Sequence, residues 1–152
     1  MKNFLAILIV LTILTGTKCS ASIDSSSFFL GGLTLEKPIR EVSEMYGKAS
    51  RVEKNDRLTF YYFGDESVCV VEFDGRIFAI YSNDNNEIET PDGLTVGMDE
   101  HFIADVYGNP DSKAEQNGLT TYGYNKSGRR YEELKFSVRN GKVVGITLHY
   151  NI

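Results

Sequence analysis

The sequence predicts an α+β protein of two tandem units, each a short helix packed on a three- to four-stranded antiparallel meander. Three observations predict it. Gly32-Leu33-Thr34-Leu35 returns as Gly93-Leu94-Thr95-Val96, and Val42 to Ala49 returns as Ile103 to Pro110, both at an offset of 61 residues. Each copy opens with an apolar stripe of helical spacing and continues in short aromatic and β-branched runs divided by turn residues. A chain of 152 residues, 41% hydrophobic and 24% charged, can bury a core and has room for one domain or two very small ones.

The first 21 residues have the order of a secretory leader. Met1-Lys2 gives a positive start, and Phe4 to Leu14 is apolar except at Thr12. As a helix this run would reach about 16 Å, half of a ~30 Å hydrocarbon core, so it is too short to span a membrane comfortably. Cys19 and Ala21 supply small residues at the spacing a signal peptidase reads, which places the cut after Ala21. Lys18 directly before Cys19, with Gly16-Thr17 ahead of it, makes a poor lipobox, so lipid anchoring is not expected. Loss of Lys2 and Lys18 with the leader leaves 14 basic against 21 acidic residues, a net charge of −7. That balance argues against nucleic acid as a partner. Cys69 then stands alone, so no internal disulfide is expected and the core must supply the stability.

After an N-terminal segment, 22–31, repeat 1 covers 32–82. Its helix starts near Pro38 and stops at Tyr46-Gly47, with Ile39, Val42 and Tyr46 on one face. Strands follow at Leu58 to Phe63, Val68 to Phe73 and Arg76 to Tyr81, with turns at Gly64-Asp65 and Asp74-Gly75. The polar, turn-rich stretch 83–91 reads as a linker. Repeat 2, 92–152, has Asp99 as a helix N-cap, a stop at Tyr107-Gly108, and strands at Leu119 to Tyr124, Glu133 to Arg139 and Lys142 to His149. Five residues are inserted in the turn between Asn125 and Tyr131. A shorter strand is allowed around Ser50 to Lys54, with a counterpart near Lys113.

Leu94-Thr95-Val96-Gly97-Met98-Asp99, then Ile103, then Tyr107-Gly108-Asn109-Pro110 and an aromatic strand resembles the signature of the small envelope lipoproteins of the SmpA/OmlA type. A tandem pair of such units resembles the β-lactamase inhibitory protein fold. The resemblance covers most of residues 32–150 as architecture. Repeat 1 departs from it, with Glu36-Lys37 in place of Gly97-Met98 and Ala49 in place of Pro110. Those families bind other proteins, and the resemblance implies a binding role here. It carries over no contact residue, because the shared positions are turn and core positions.

Alternation along the strands separates two faces. In repeat 2, Leu134, Phe136, Val138, Val144, Ile146 and Leu148 are expected to face the helix with Tyr122 and Tyr124. Transferred by the offset, repeat 1 turns Tyr61, Phe63, Val68, Val70, Phe78 and Ile80 inward. Its outer face then holds Leu58, Phe60, Tyr62, Cys69, Val71, Phe73, Ile77, Ala79 and Tyr81, nearly all apolar. Such a patch exceeds what soluble monomers usually expose. Three covers are open: repeat 2 or Phe28-Phe29-Leu30 within the chain, a partner protein anchored on Phe60, Tyr62, Phe73 and Tyr81, or a second copy in a homodimer.

Chemistry-bearing residues are sparse. His101, His149 and Cys69 have no metal-ligand spacing, so no metal or cofactor is expected. Cys69 and His149 could meet as nucleophile and base across two outer faces, but apolar surroundings would raise the thiol pKa. Otherwise His149 reads as a strand-end surface residue and His101 as an exposed helix residue. Asp84-Asn85-Asn86-Glu87 lacks the spacing of a calcium loop. Asn125-Lys126-Ser127 is a glycosylation sequon in form only, and Gly128-Arg129-Arg130 reads as a basic hairpin tip. The expectation is an exported, non-enzymatic protein-binding module with no membrane span after the leader; the alternative is a structural or envelope-assembly factor without a discrete ligand.

Overall fold

Turn chemistry sets the strands. Asp74 and Gly75 have φ of 51° and 76°, and Asn140 and Gly141 have 52° and 71°. Positive φ at both central residues is the type I′ geometry whose twist matches that of an antiparallel pair. The computed structural model describes residues 23, 24 and 28–151, so the leader expected at 1–21 lies outside the described residues. Helix α1 (Ile39–Tyr46) leads into β1 (Arg51–Asn55), β2 (Leu58–Phe63), β3 (Val68–Phe73) and β4 (Arg76–Ser82). Helix α2 (His101–Tyr107) leads into β5 (Ser112–Gln116), β6 (Leu119–Lys126), β7 (Arg129–Arg139) and β8 (Lys142–Tyr150). Pro38 precedes α1 with extended backbone, and Glu100 rather than Asp99 is the N-cap of α2. Gly47 and Gly108 close the helices at positive φ, but with ψ near the extended range, so neither takes the left-handed helical cap expected of it.

The expectation of two separate helix-plus-meander units is corrected by the sheet. All eight strands form one antiparallel sheet in the order β1-β2-β3-β4-β8-β7-β6-β5. The join is β4 on β8, with Ala79 opposite His149, Ile80 opposite Leu148, Tyr81 opposite Thr147 and Ser82 opposite Ile146. The protein is thus mainly a single β layer with two short helices among the described residues. Sequence periodicity reports how each strand is patterned and says nothing of which strand edge meets which. Left unpaired, the apolar β4 would expose a row of backbone donors and acceptors, and β8 supplies their partners. The strands that do end up at the edges, Arg51-Val-Glu-Lys-Asn55 and Ser112-Lys-Ala-Glu-Gln116, are short, charged and mostly exposed, which discourages further strand addition.

One core lies on one side of this sheet. Val42 of α1 and Ile103 and Tyr107 of α2 pack there against Phe63, Val70, Ile80, Leu134, Phe136, Ile146 and Leu148. Phe28, Leu30, Leu33, Ile88 and Leu94 fill the same side. The segment 83–91 is tied down rather than merely solvated. Asn86 donates to Ser67 O and Oγ at 3.2 and 3.0 Å and accepts from Ser82 Oγ at 3.0 Å, while Thr90 is 1% exposed. Gly31 N donates to Glu89 O at 2.9 Å, and Tyr46 Oη donates to Gly31 O at 2.5 Å, so this segment, the N-terminal segment and α1 are stitched together.

Two bulges shift the expected faces. Ile77 and Phe78 together oppose β3 between Val71 and Glu72, and Val143 and Val144 are displaced in the same way against β7. An extra residue breaks the alternation. Ile77 and Val143, expected to point outward, join the core at 1% exposure each. Phe78 sits half-buried beside Phe73 and Tyr150, at ring distances of 6.2 and 5.7 Å.

A single core predicts a single unfolding event. Leu134→Ala removes a fully buried side chain and should cost about 3 kcal/mol. Urea unfolding followed by far-ultraviolet circular dichroism and by tyrosine fluorescence should shift together to one lower midpoint; separate transitions would contradict the shared core. Burial pushes the Tyr124 phenol up to about 12, and its Oη donates to Gly108 O at 3.0 Å. The folded value lies above the unfolded one, so this contribution is complete below pH ~10 and fades as pH rises toward 12. Tyr124→Phe should flatten the alkaline limb of the stability profile measured by urea titration between pH 9 and 12.

Candidate docking face of the sheet

The side of the sheet away from the helices carries unbroken rows of side chains across the strands. One runs Arg51, Tyr62, Cys69, Tyr81, Thr147, Lys135, Gly123, Ser112. Its neighbour runs Glu53, Phe60, Val71, Ala79, His149, Glu133, Asn125. Both rows change character at the β4–β8 join, apolar on the β2–β4 side and polar on the β6–β8 side. The two halves are chemically distinct parts of one surface.

In the apolar half, Val71 and Ala79 form a floor at 2% and 1% exposure, while Phe73 and Tyr81 stand out at 40% each. Phe60 and Tyr62 are half-buried on β2. The four expected anchor residues therefore share this face, with Tyr62 and Tyr81 on one row, Phe60 on the next, and Phe73 opposite Leu58 on the row beyond. Depressions of 670 Å³ and 470 Å³ flank them, the first bordered by Leu58, Phe73 and Phe78 and the second by Phe60 and Tyr62. The edge strand fixes Tyr62: the Arg51 guanidinium lies 3.7 Å from its ring centre, and its Oη donates to Glu53 Oε2 at 3.2 Å. Arg51 in turn forks onto Glu66 at 2.6 and 2.8 Å, which lowers the Glu66 carboxyl below its ordinary range.

Among the described residues, cover from within the chain, one of the expected solutions, is not found. Phe28 and Leu30 are buried in the core on the opposite side, and repeat 2 extends the sheet edge to edge instead of folding over it. Cys69, at the centre of the face, is pushed up by burial, against smaller lowering effects of Tyr62 and Arg51. β4 separates Cys69 from the β8 residue His149, and the two lie on different rows, so they sit more than two strand spacings, roughly 10 Å, apart and do not form a nucleophile–base pair.

The polar half holds a group that sequence reasoning missed. Glu133, with a side chain 4% exposed, lies beside Gly123, where any Cβ would collide with it and with Ser112. Ser112 Oγ donates to Glu133 Oε1 at 3.2 Å, Lys135 Nζ approaches Oε2 at 3.0 Å, and His149 Nε2 lies 3.5 Å from Oε2. His149 is thus drawn into a buried cluster, not left as a surface residue at a strand end. A glycine in the interior of an aromatic strand was the available signal, since such a glycine marks a close approach. The carboxylate binds the serine hydroxyl directly, which is the wrong order for a hydrolytic triad, where imidazole must reach the nucleophile. Among the described residues no three or more His, Cys, Asp or Glu side chains cluster at metal-binding distance, and no helix is long and apolar enough to cross a membrane.

No family model and no curated protein sequence matches the chain. Solved structures do resemble it. A cysteine-rich secretory protein from Staphylococcus aureus matches with a TM-score of 0.56 at 16% identity over 77% of this chain and 44% of that one. A DUF4309 family protein from Bacillus subtilis matches at 0.51 and 17% identity over 79% and 83%. An extracellular protein containing a SCP domain from Bacillus anthracis matches at 0.53 and 7% identity over 95% and 50%. The chain spans about half the length of the first and third, and at these identities the likeness is one of fold alone.

The raised thiol predicts sluggish chemistry at the centre of the face. At pH 8 Cys69 should react with iodoacetamide more slowly than glutathione does, and its rate should keep climbing at pH values where glutathione has levelled off. Equal rates in the folded protein would mean that the face is not closed around the thiol.

Proposed function

We propose that this protein is exported and works as a non-catalytic module that docks a partner protein through the apolar half of its outer sheet face. The observation that carries the reading is the placement of Phe60, Tyr62, Phe73 and Tyr81 on a face from which both helices, Phe28 and Leu30 are absent. Aromatic anchors over a packed apolar floor are the composition that dominates interface energetics. Tyr62 is preorganised by Arg51 and Glu53, which reduces the ordering cost of binding. Export rests on the charged start, short apolar run and small-residue cut of residues 1–21, and it accords with the secretory and extracellular descriptions of two fold neighbours.

Phe73→Ser with Tyr81→Ser tests the site, because both side chains are substantially exposed and their loss leaves the core intact. In capture from the native secreted and envelope fractions, the wild type should retain a specific protein that the double variant loses. Retention by a variant with unchanged circular dichroism would exclude this surface. Recovery of mature protein with an N-terminus near Ile23 from outside the cytoplasm would match export, and a full-length cytoplasmic product would refute it.

A further inference from the structure

We propose that a cleft beside α2, on the helix side of the sheet, binds a small uncharged aromatic compound carrying an O–H or N–H donor, of the phenol or indole type. The cleft has a volume of 340 Å³ and lies between the start of α2, Pro110 just past its end, and β6. That volume is at the lower end of the range for small-molecule pockets, which suits a compound of one or two rings. Ile103, Ala104, Pro110, Tyr122 and Tyr124 supply apolar and aromatic walls, and Glu100 places a carboxylate among them. Such walls around a few placed polar groups are the usual composition of a small-molecule site.

The first half of the chain shows how the same place is built for packing alone. Both halves hang from one backbone pattern: Glu36 N donates to Ile77 O at 3.0 Å and Ile39 N to Gly75 O at 3.1 Å, as Gly97 N donates to Val143 O at 2.8 Å and Glu100 N to Gly141 O at 2.9 Å. Residue 39 therefore stands where residue 100 stands. Ile39 packs against the core, as do Ala49 and Tyr61, whose counterparts are Pro110 and Tyr122. A carboxylate at 100 cannot fill apolar space as isoleucine does, because its desolvation must be offset by hydrogen bonds. It accepts one from the Tyr122 hydroxyl. A carboxylate has about four lone-pair sites, so Glu100 keeps capacity for a ligand donor. The ligand need bring no cation, since the Lys113 ammonium already lies 5.0 Å from the centre of the Tyr122 ring. An anion would be repelled by Glu100 in its half-buried position. A neutral ring that packs on Tyr122 and Tyr124 and donates to Glu100 meets every condition. The Tyr124 wall is fixed in advance by the bond from its Oη to Gly108 O at 3.0 Å.

Titration of the methyl-labelled protein with indole, followed by carbon–proton correlation spectra, tests the site. The indole ring current should shift the Ile103 and Ala104 methyl signals with a Kd below about 1 mM, and leave those of Val71 and Ala79 on the outer face unmoved. N-Methylindole, which has the ring and lacks the donor, should bind about tenfold more weakly or worse. Ala104→Leu, a change at an exposed helix position, should fill the cleft and abolish binding, and so should Glu100→Ile, which copies the first half. Binding weaker than 1 mM, shifts at Val71 and Ala79 in place of Ile103 and Ala104, or equal affinity for the two indoles would overturn the assignment in the wild type alone, whatever the variants' folding. Undiminished binding by a folded Ala104→Leu protein would also overturn it. Phe73→Ser with Tyr81→Ser should leave indole binding unchanged, because the cleft and the docking face lie on opposite sides of the sheet, so either reading can fail without the other.

Discussion

The pairing of β4 with β8 is the constraint from which the rest of the architecture follows. It sets Ile80 beside Leu148 and Ser82 beside Ile146 on one side, and Ala79 beside His149 on the other. With those three pairs in register, two meanders become one sheet and their cores become one core. Both helices, the N-terminal segment and the residues before α2 must then share the side where Ile80 and Leu148 lie, because that side offers the larger apolar area to bury. Among the described residues, both helices and the N-terminal Phe28 and Leu30 have gone to one side of the layer. The opposite side is left without a cover from this chain's described residues.

Local structure was legible in the sequence to the extent that it is governed by neighbours in the chain. Asp74-Gly75 and Asn140-Gly141 announced their hairpins because few other residue pairs take positive φ twice in succession. The strand at Leu58 to Phe63 could be placed to the residue from its aromatic run and flanking turns. At a 61-residue offset even the pairing agrees: Arg51 opposes Tyr62 as Ser112 opposes Gly123. What stayed hidden depends on contacts made at long range. The β4–β8 edge match leaves no trace in periodicity, which is why the sheet was split in two. The bulges at Ile77-Phe78 and Val143-Val144 are single extra residues, and alternation cannot register them until the partner strand is known.

The candidate face was legible in the same partial way. Phe60, Tyr62, Phe73 and Tyr81 could be assigned to one surface by counting alternate residues. Whether that surface was covered could not be read, since Phe28-Phe29-Leu30 had apolar character enough for either side of the sheet. The structure commits Phe28 and Leu30 to the core, where the helices already demand filling. Arg51 was invisible as a functional neighbour, because its stacking on Tyr62 depends on the edge strand lying alongside β2.

The two halves of the outer face differ in a way that folding alone does not require. A leucine at 133 would lie on the same row as Ala79 and Val71, one strand beyond His149, and would carry apolar character into the β6–β8 side. The chain instead places a carboxylate there, buries it almost completely, and surrounds it with Ser112, Lys135 and His149. Taking such a charge out of water costs several kcal/mol before its partners are counted, and a well-packed apolar residue of similar volume is often at least as stabilising. The cluster is therefore poorly explained as a device for stability. Its evident structural effect is to end the apolar surface of the outer face at the β4–β8 join. A partner docking as proposed on the apolar half would meet a polar boundary at His149 and Glu133, which would limit its register along the rows and separate specific docking from indiscriminate adhesion.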